Sequence, residues 1–167
     1  MVRGGHATLR PMTTRRSARV YRFAGALGTS RLITRLHPIV YRTTGGRGPF
    51  VGATLGMRHI IVGTTGRTSG RRIEVPLYAA TDGKRLVIIG SNGGKEKDPA
   101  WVGNLRAHPE VTVRHGKRED PMTAREAEGE ERERLWAIAA AAYPGYDDYA
   151  KRAAHRRIAV FALEPRV

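Results

Sequence analysis

The residues best suited to chemistry cluster in HIIVGTTGRTSGRRIEVPLY, residues 59–78. Two apolar runs flank a turn that carries Gly66, Thr68, Ser69, Gly70 and the arginines Arg67, Arg71 and Arg72. A turn of this kind can aim backbone N–H groups and guanidinium forks at an anion. It equally suits a polar hairpin tip whose arginines are only solvated. Downstream, Ser91–Asn92–Gly93–Gly94 ends an apolar run, and a polar stretch continues to Asn104. Tyr78, Trp101, Tyr143, Tyr146 and Tyr149 supply aromatic surface. Polar turns with aromatic faces fit a flat ring ligand bearing a phosphate. The same aromatics also fit plain core packing.

Other chemistries find less support. The chain has no cysteine, so thiol nucleophiles, disulfides and zinc–thiolate sites are excluded. His6, His37, His59, His108, His115 and His155 are scattered without metal-ligand spacing. No nucleophile elbow is present. No strand–G-x-G-x-x-G–helix unit occurs, and no Gly-Lys-Ser/Thr follows Gly66, so neither a Rossmann nor a P-loop phosphate site is indicated.

These residues need elements to hold them. Ile60, Ile61 and Val62 form a short β-branched run, and Ile73, Val75 and Leu77 alternate with other residues, so strands flank the turn. Asp82–Gly83 signals a second turn. Leu86–Ile89 is a continuous apolar strand expected to be buried on both faces. Residues 99–107 read as a helix, with Asp98 as N-cap and Pro99 at the first helical position. Further strands are expected at 111–115, 121–127 and 158–163. A strong helix spans 128–142, with Glu130 and Arg134 as an i,i+4 pair, and another helical turn follows at 146–154. Five or six antiparallel strands with peripheral helices make a mainly β (α+β) domain, a small barrel over residues 57–167.

The 167 residues suffice for one domain with a real core. Residues 1–18 read as a disordered basic arm, and 19–56 as a helical segment followed by a Gly-rich loop. Residues 1–73 contain 14 arginines and no Asp, Glu or Lys, so nearly all of the net charge of +15 lies there. That imbalance calls for an anionic partner: a phosphorylated or polycarboxylate ligand, an anionic membrane surface met by a basic helix over 19–36, or nucleic acid. No apolar run is long enough to span a membrane. The expected location is cytoplasmic, with peripheral membrane contact left open.

Three motifs, GTTGRTSGRRIEVPLY, SNGGKEKDPAWVGNLRAHPEVTV and AAYPGYDDY, occur in an order and spacing that resemble the deazaflavin-dependent nitroreductase family. IVYRTTGGRG upstream resembles it too, and the likeness covers residues 39–165. The resemblance implies a split β-barrel of the FMN-binding-protein type. It also implies an oxidoreductase that passes a hydride from reduced coenzyme F420 (an 8-hydroxy-5-deazaflavin) to a quinone, enone or nitroaromatic. By that likeness Arg67, Thr68, Ser69, Arg71 and Arg72 hold the cofactor's phosphate and glutamate tail. Ser91, Asn92, Pro99, Ala100, Trp101 and Asn104 line the deazaflavin. Tyr78, Tyr146 and Tyr149 border the substrate pocket, and Tyr146 or Ser91 donates to the acceptor oxygen. No metal is implied.

Relative to the family pattern, Thr68, Ile73 and Asn92 stand where cations are common. Arg71, Arg72 and the acid-free first half are expected to restore the positive field. The rival readings are an FMN or haem binder on the same barrel, and a basic module for nucleic acid or membrane surfaces. Within the family reading, the partner is a small-molecule electron acceptor, no specific nucleic acid is expected, and a homodimer is compatible with the fold.

Overall fold

The computed structural model describes residues 57–166. The basic arm, the helical segment and the membrane-facing helix expected over residues 1–56 lie outside the described residues. In chain order the elements are β1 (Arg58–Thr65), β2 (Arg72–Asp82), β3 (Arg85–Ile89), α1 (Ala100–Ala107), β4 (Glu110–His115), β5 (Arg118–Glu126), α2 (Gly129–Ala142), α3 (Gly145–Arg152) and β6 (Val160–Pro165). The strands close into an antiparallel barrel in the order β1-β2-β3-β6-β5-β4.

Alternation along the strands builds two cores. Ile60, Val62, Ile88, Val111, Val113, Phe161 and Leu163 fill the barrel. Val87, Ile89, Val160 and Ala162, from the other face of β3 and β6, pack with Leu135 and Ala139 of α2 and with Tyr146 of α3. The β3 run is therefore buried on both faces, as its unbroken apolar sequence requires. Ile88 pairs with Phe161 and Val87 with Ala162, so one register serves both cores. Helix α1 closes the barrel with Trp101, Val102 and Leu105.

The ladder is incomplete at one place, and that place matters. β2 pairs with β1 along its first eight residues, Arg72 to Ala79. It pairs with β3 only at Ala80, Thr81 and Asp82. From Arg72 to Ala79 the other edge of β2 has no strand partner among the described residues. Had the β2–β3 register continued, Tyr78 would face Ile89. Instead the strands part, which is the split in the barrel.

Three local expectations shift. Pro99, with extended backbone, is the N-cap of α1, and no side chain caps that helix. Asp98 instead pairs with Arg106 and Arg156. Arg134 reaches past Glu130 to Asp82, at 3.0 and 3.1 Å, because the hairpin fixes that carboxylate in place. Ile73, whose alternation with Val75 and Leu77 suits a half-buried strand, is 42% exposed, where β2 has β1 as its one strand neighbour among the described residues.

Candidate active site

The β1–β2 turn is a tight, self-bonded loop. Gly66 N–H donates to the Arg71 carbonyl and Gly70 N–H to the Gly66 carbonyl, both at 2.8 Å. Gly70 has φ +63°, a left-handed value that glycine adopts at little cost. Ser69 Oγ accepts from Arg71 N–H at 3.4 Å. The turn is anchored on α1 by Asn104, which is 6% exposed. Asn104 Oδ1 accepts from Arg67 N–H at 3.1 Å, and Nδ2 donates to Thr64 Oγ1 at 3.3 Å. Thr64 in turn donates to the Ile73 carbonyl at 3.2 Å. Asn104 thus braces the turn from beneath.

The three arginines of the turn divide. Arg67 lies against α1 at Gly103, where a Cβ would come within 2.4 Å of its Nη1. Arg67 and Arg71 are exposed and have no acidic partner among the described residues. Arg72 crosses β1 above Gly63 and donates to Thr112 Oγ1 at 2.9 Å and to Glu119 Oε1. The hydrogen bond to Glu119 raises the Arg72 pKa, and Thr112 with Arg72 hold the Glu119 carboxyl below its usual range. Arg72 is thus paired on the β4–β5 face. The cations left for an anion on this turn are Arg67 and Arg71.

Residues 90–94, which follow β3, form the second polar feature. Ser91 is right-handed (φ −68°, ψ −32°), and Asn92 and Gly93 are left-handed (φ +48° and +65°). A right-handed residue followed by a left-handed one forms a nest, in which successive N–H groups converge on a concavity suited to an anion. The N–H groups concerned belong to Ser91, Asn92 and Gly93. The Asn92 side chain is turned elsewhere, its Nδ2 donating to the Lys97 carbonyl at 2.8 Å. Ser91 is buried at 8% exposure. Gly94 seats against α3, where a Cβ would approach Arg152 Cβ to 2.8 Å.

The aromatic residues fall into separate places. Trp101 lies in the barrel core, its ring 6.0 Å from that of Phe161. Tyr146 lies in the second core, within 5.2 to 6.2 Å of Tyr143, Tyr149 and Trp136. Burial pushes the Tyr146 phenol pKa well up, and neighbouring Tyr143, Tyr149 and Tyr78 raise it further. Tyr143 and Tyr149 share a hydroxyl–hydroxyl hydrogen bond at 3.1 Å. Tyr78 is 38% exposed beside the split, edge-on to His59. Tyr78, Tyr146 and Tyr149 are therefore brought together, while Trp101 belongs to the interior. Pro99 and Ala100 lie where the loop enters α1, with Ala100 exposed. Thr68 is exposed at the tip of the turn.

Helix α1 mounts both features. It holds the turn through Asn104 and Gly103. It holds the start of the 90–98 loop at Gly90, where a Cβ would approach Val102 Cγ2 to 2.8 Å. A separate cavity of about 250 Å³ opens between α2, α3 and residues 156–158, lined in part by Arg132, Trp136 and Arg157. None of the residues named from the sequence motifs as site residues lines it. Among the described residues no cluster of His, Asp or Glu has metal-binding geometry. No described helix is long and apolar enough to cross a membrane.

The sequence and the fold have relatives among known proteins. The model of a family described as F420H(2)-dependent quinone reductase matches residues 33–165. An F420H(2)-dependent quinone reductase of Mycobacterium tuberculosis is 31% identical over 114 residues, 64% of this chain and 72% of that protein. A solved F420-H2-dependent reductase is 40% identical, with a TM-score of 0.59, over 64% of this chain and 93% of its own. A second solved chain, described as a domain-swapped dimer, has the same identity and TM-score and is covered to 79%. The chain therefore belongs to the F420H(2)-dependent quinone reductase family, with the barrel fold and the deazaflavin dependence that its motifs implied.

Proposed function

We propose that the protein reduces a quinone with reduced F420 bound along the split, between the β1–β2 turn and the 90–94 loop. The observation that carries this reading is the pairing of an unpaired Arg67–Arg71 rim with the Ser91–Gly93 nest, both mounted on α1. These donors suit the group: the guanidinium forks match phosphate and carboxylate oxygens. The nest offers N–H groups to a further oxyanion or a ring carbonyl oxygen. When bound, F420 supplies hydride chemistry, and the protein supplies binding, orientation and electrostatics.

The residues divide the work. Arg67 and Arg71 hold the anionic tail. Asn104 fixes the turn that presents them. Ser91 and Asn92 orient the cofactor through their backbone N–H groups. Tyr78 and Tyr149 border the acceptor, and the neutral Tyr146 phenol donates a hydrogen bond to the acceptor oxygen. That bond matters because the oxygen gains negative charge as hydride arrives, and a donor placed there stabilises it. Solvent delivers the remaining proton that completes the hydroquinone.

The test is anaerobic oxidation of reduced F420 with a soluble quinone, an enone and a nitroaromatic as acceptors. Saturable quinone-dependent oxidation is expected. Turnover of the enone or nitroaromatic with none for the quinone contradicts the choice of acceptor. A homodimer belongs to the same reading, supported by the relative described as a domain-swapped dimer. Light scattering at working concentration decides it.

A further inference from the structure

The side chain that organises the 90–98 loop comes from the other end of the domain. Arg156 is only 12% exposed. Its Nη2 donates to the Ser91 carbonyl at 2.9 Å and its Nε to the Lys95 carbonyl at 3.0 Å. Longer contacts of 3.4 and 3.5 Å reach the Gly90 carbonyl, and Nη1 donates to Asp98 Oδ1. Asp98 is also paired with Arg106, so the clamp is tied to α1. His155 adds a bond at 3.0 Å to the Glu96 carbonyl.

The direction of these bonds has a consequence. No peptide bond here is cis. In a trans peptide unit the C=O of one residue and the N–H of the next point in opposite directions. Turning the Gly90 and Ser91 carbonyls onto Arg156 therefore turns the Ser91 and Asn92 N–H groups away from it. Those are two of the three donors of the nest. Neither has a backbone acceptor among the described residues. The backbone of Asn92 is at φ +48°, a left-handed value that asparagine adopts more readily than most residues, so the local sequence and the Arg156 bonds favour the same loop shape.

We propose that Arg156 is a positioning residue that sets the nest for an oxyanion of the cofactor, and so fixes cofactor affinity from behind the loop. The proposal rests on the reading of this loop as part of the F420 site. Lysine cannot replace it, because one ammonium cannot fork to carbonyls on three residues and a carboxylate at once.

The experiment compares the parent with R156K, and with R157A as a control on the exposed neighbouring residue. Three quantities are read: the dissociation constant for oxidised F420, the KM and kcat with a quinone at saturating F420, and amide exchange over residues 91–98. In R156K, F420 affinity falls by about tenfold or more, as expected for lost charge-assisted bonds. Quinone KM stays near the parental value, because Arg156 faces away from the acceptor side of the loop, and amide exchange speeds up locally. R157A matches the parent in all three. Unchanged F420 affinity in R156K, or loss of affinity only in step with global unfolding, overturns the proposal. If the parent itself fails to bind F420, the functional reading is what fails. Exchange at 91–98 then decides the clamp: unchanged protection in R156K removes it.

Discussion

Asn104 Oδ1 accepts the backbone N–H of Arg67 at 3.1 Å, linking α1 to the turn that carries the site's free cations. The other end of the same amide donates to Thr64 Oγ1 at 3.3 Å. Both partners are internal, so in the proposed site Asn104 serves the turn that would meet a ligand.

Asn104→Leu keeps the branching at Cγ, in a somewhat larger side chain, and removes both bonds, leaving Thr64 and the Arg67 amide without their partner. A loss of about 1–3 kcal/mol in unfolding free energy is expected. Urea denaturation checks this. F420 affinity should fall with it, because the turn no longer holds Arg67 in place. Parental affinity in a destabilised protein means that the turn positions nothing.

The arginines of the turn should separate by function. Arg67→Ala and Arg71→Ala each weaken F420 binding, and each reduces its dependence on salt and on the number of tail glutamates. Arg72→Ala leaves affinity within about twofold, because its charge is already satisfied by Glu119 on the β4–β5 face. Isothermal titration at two ionic strengths distinguishes them. A large effect at Arg72 alone reverses the assignment.

Burial keeps the Tyr146 phenol protonated well above its ordinary range. Tyr146→Phe removes the donor but keeps the ring that packs on Trp136 and Tyr143. Turnover should fall about tenfold or more while F420 affinity is held. The quinone rate of the parent should show no ionisation from this phenol up to about pH 10. Equal losses of kcat and cofactor affinity would assign Tyr146 to packing alone.

Glu131 has a folded-state pKa of about 2, lowered from 4.5 chiefly by its hydrogen bonds with Arg125 and then by Arg85. The sign is that of a depressed carboxyl. Its stabilisation is fully present above the unfolded value and is lost as pH falls from there toward 2. Glu131→Gln should therefore be less stable than the parent at neutral pH, with the gap closing as pH falls through this window. Urea midpoints across the acid range check it. A gap that stays constant with pH excludes the ion pair as the cause.

Much of this was legible in the sequence because the signals are local. The apolar runs of β1, β3 and β6 and the alternation in β2 and β4 give the strands and the doubly buried sheet. The three motifs give the family. What was not legible is long-range. Arg156 sits 65 residues from Ser91 and lies in no recognisable motif, so nothing local marked it as the clamp on that loop. Arg72 reads like its neighbours in the turn, yet strand geometry sends its side chain over Gly63 to a partner 47 residues away. Trp101 shares a motif with Asn92 and Asn104, but helix α1 turns its ring into the barrel. Pattern identifies which loops meet. The direction in which each side chain leaves its strand or helix decides what the loops present.

The central claim is that the Arg67–Arg71 rim and the Ser91–Gly93 nest together form a deazaflavin site that feeds a quinone. The most direct measurement is a parallel spectral titration of the protein with F420, FMN and haem, followed by quinone addition to the reduced F420 complex. The account predicts saturable F420 binding, no comparable binding of FMN or haem, and reoxidation of the complex by quinone. Tight FMN or haem binding with none for F420, or an F420 complex that quinone leaves reduced, contradicts it.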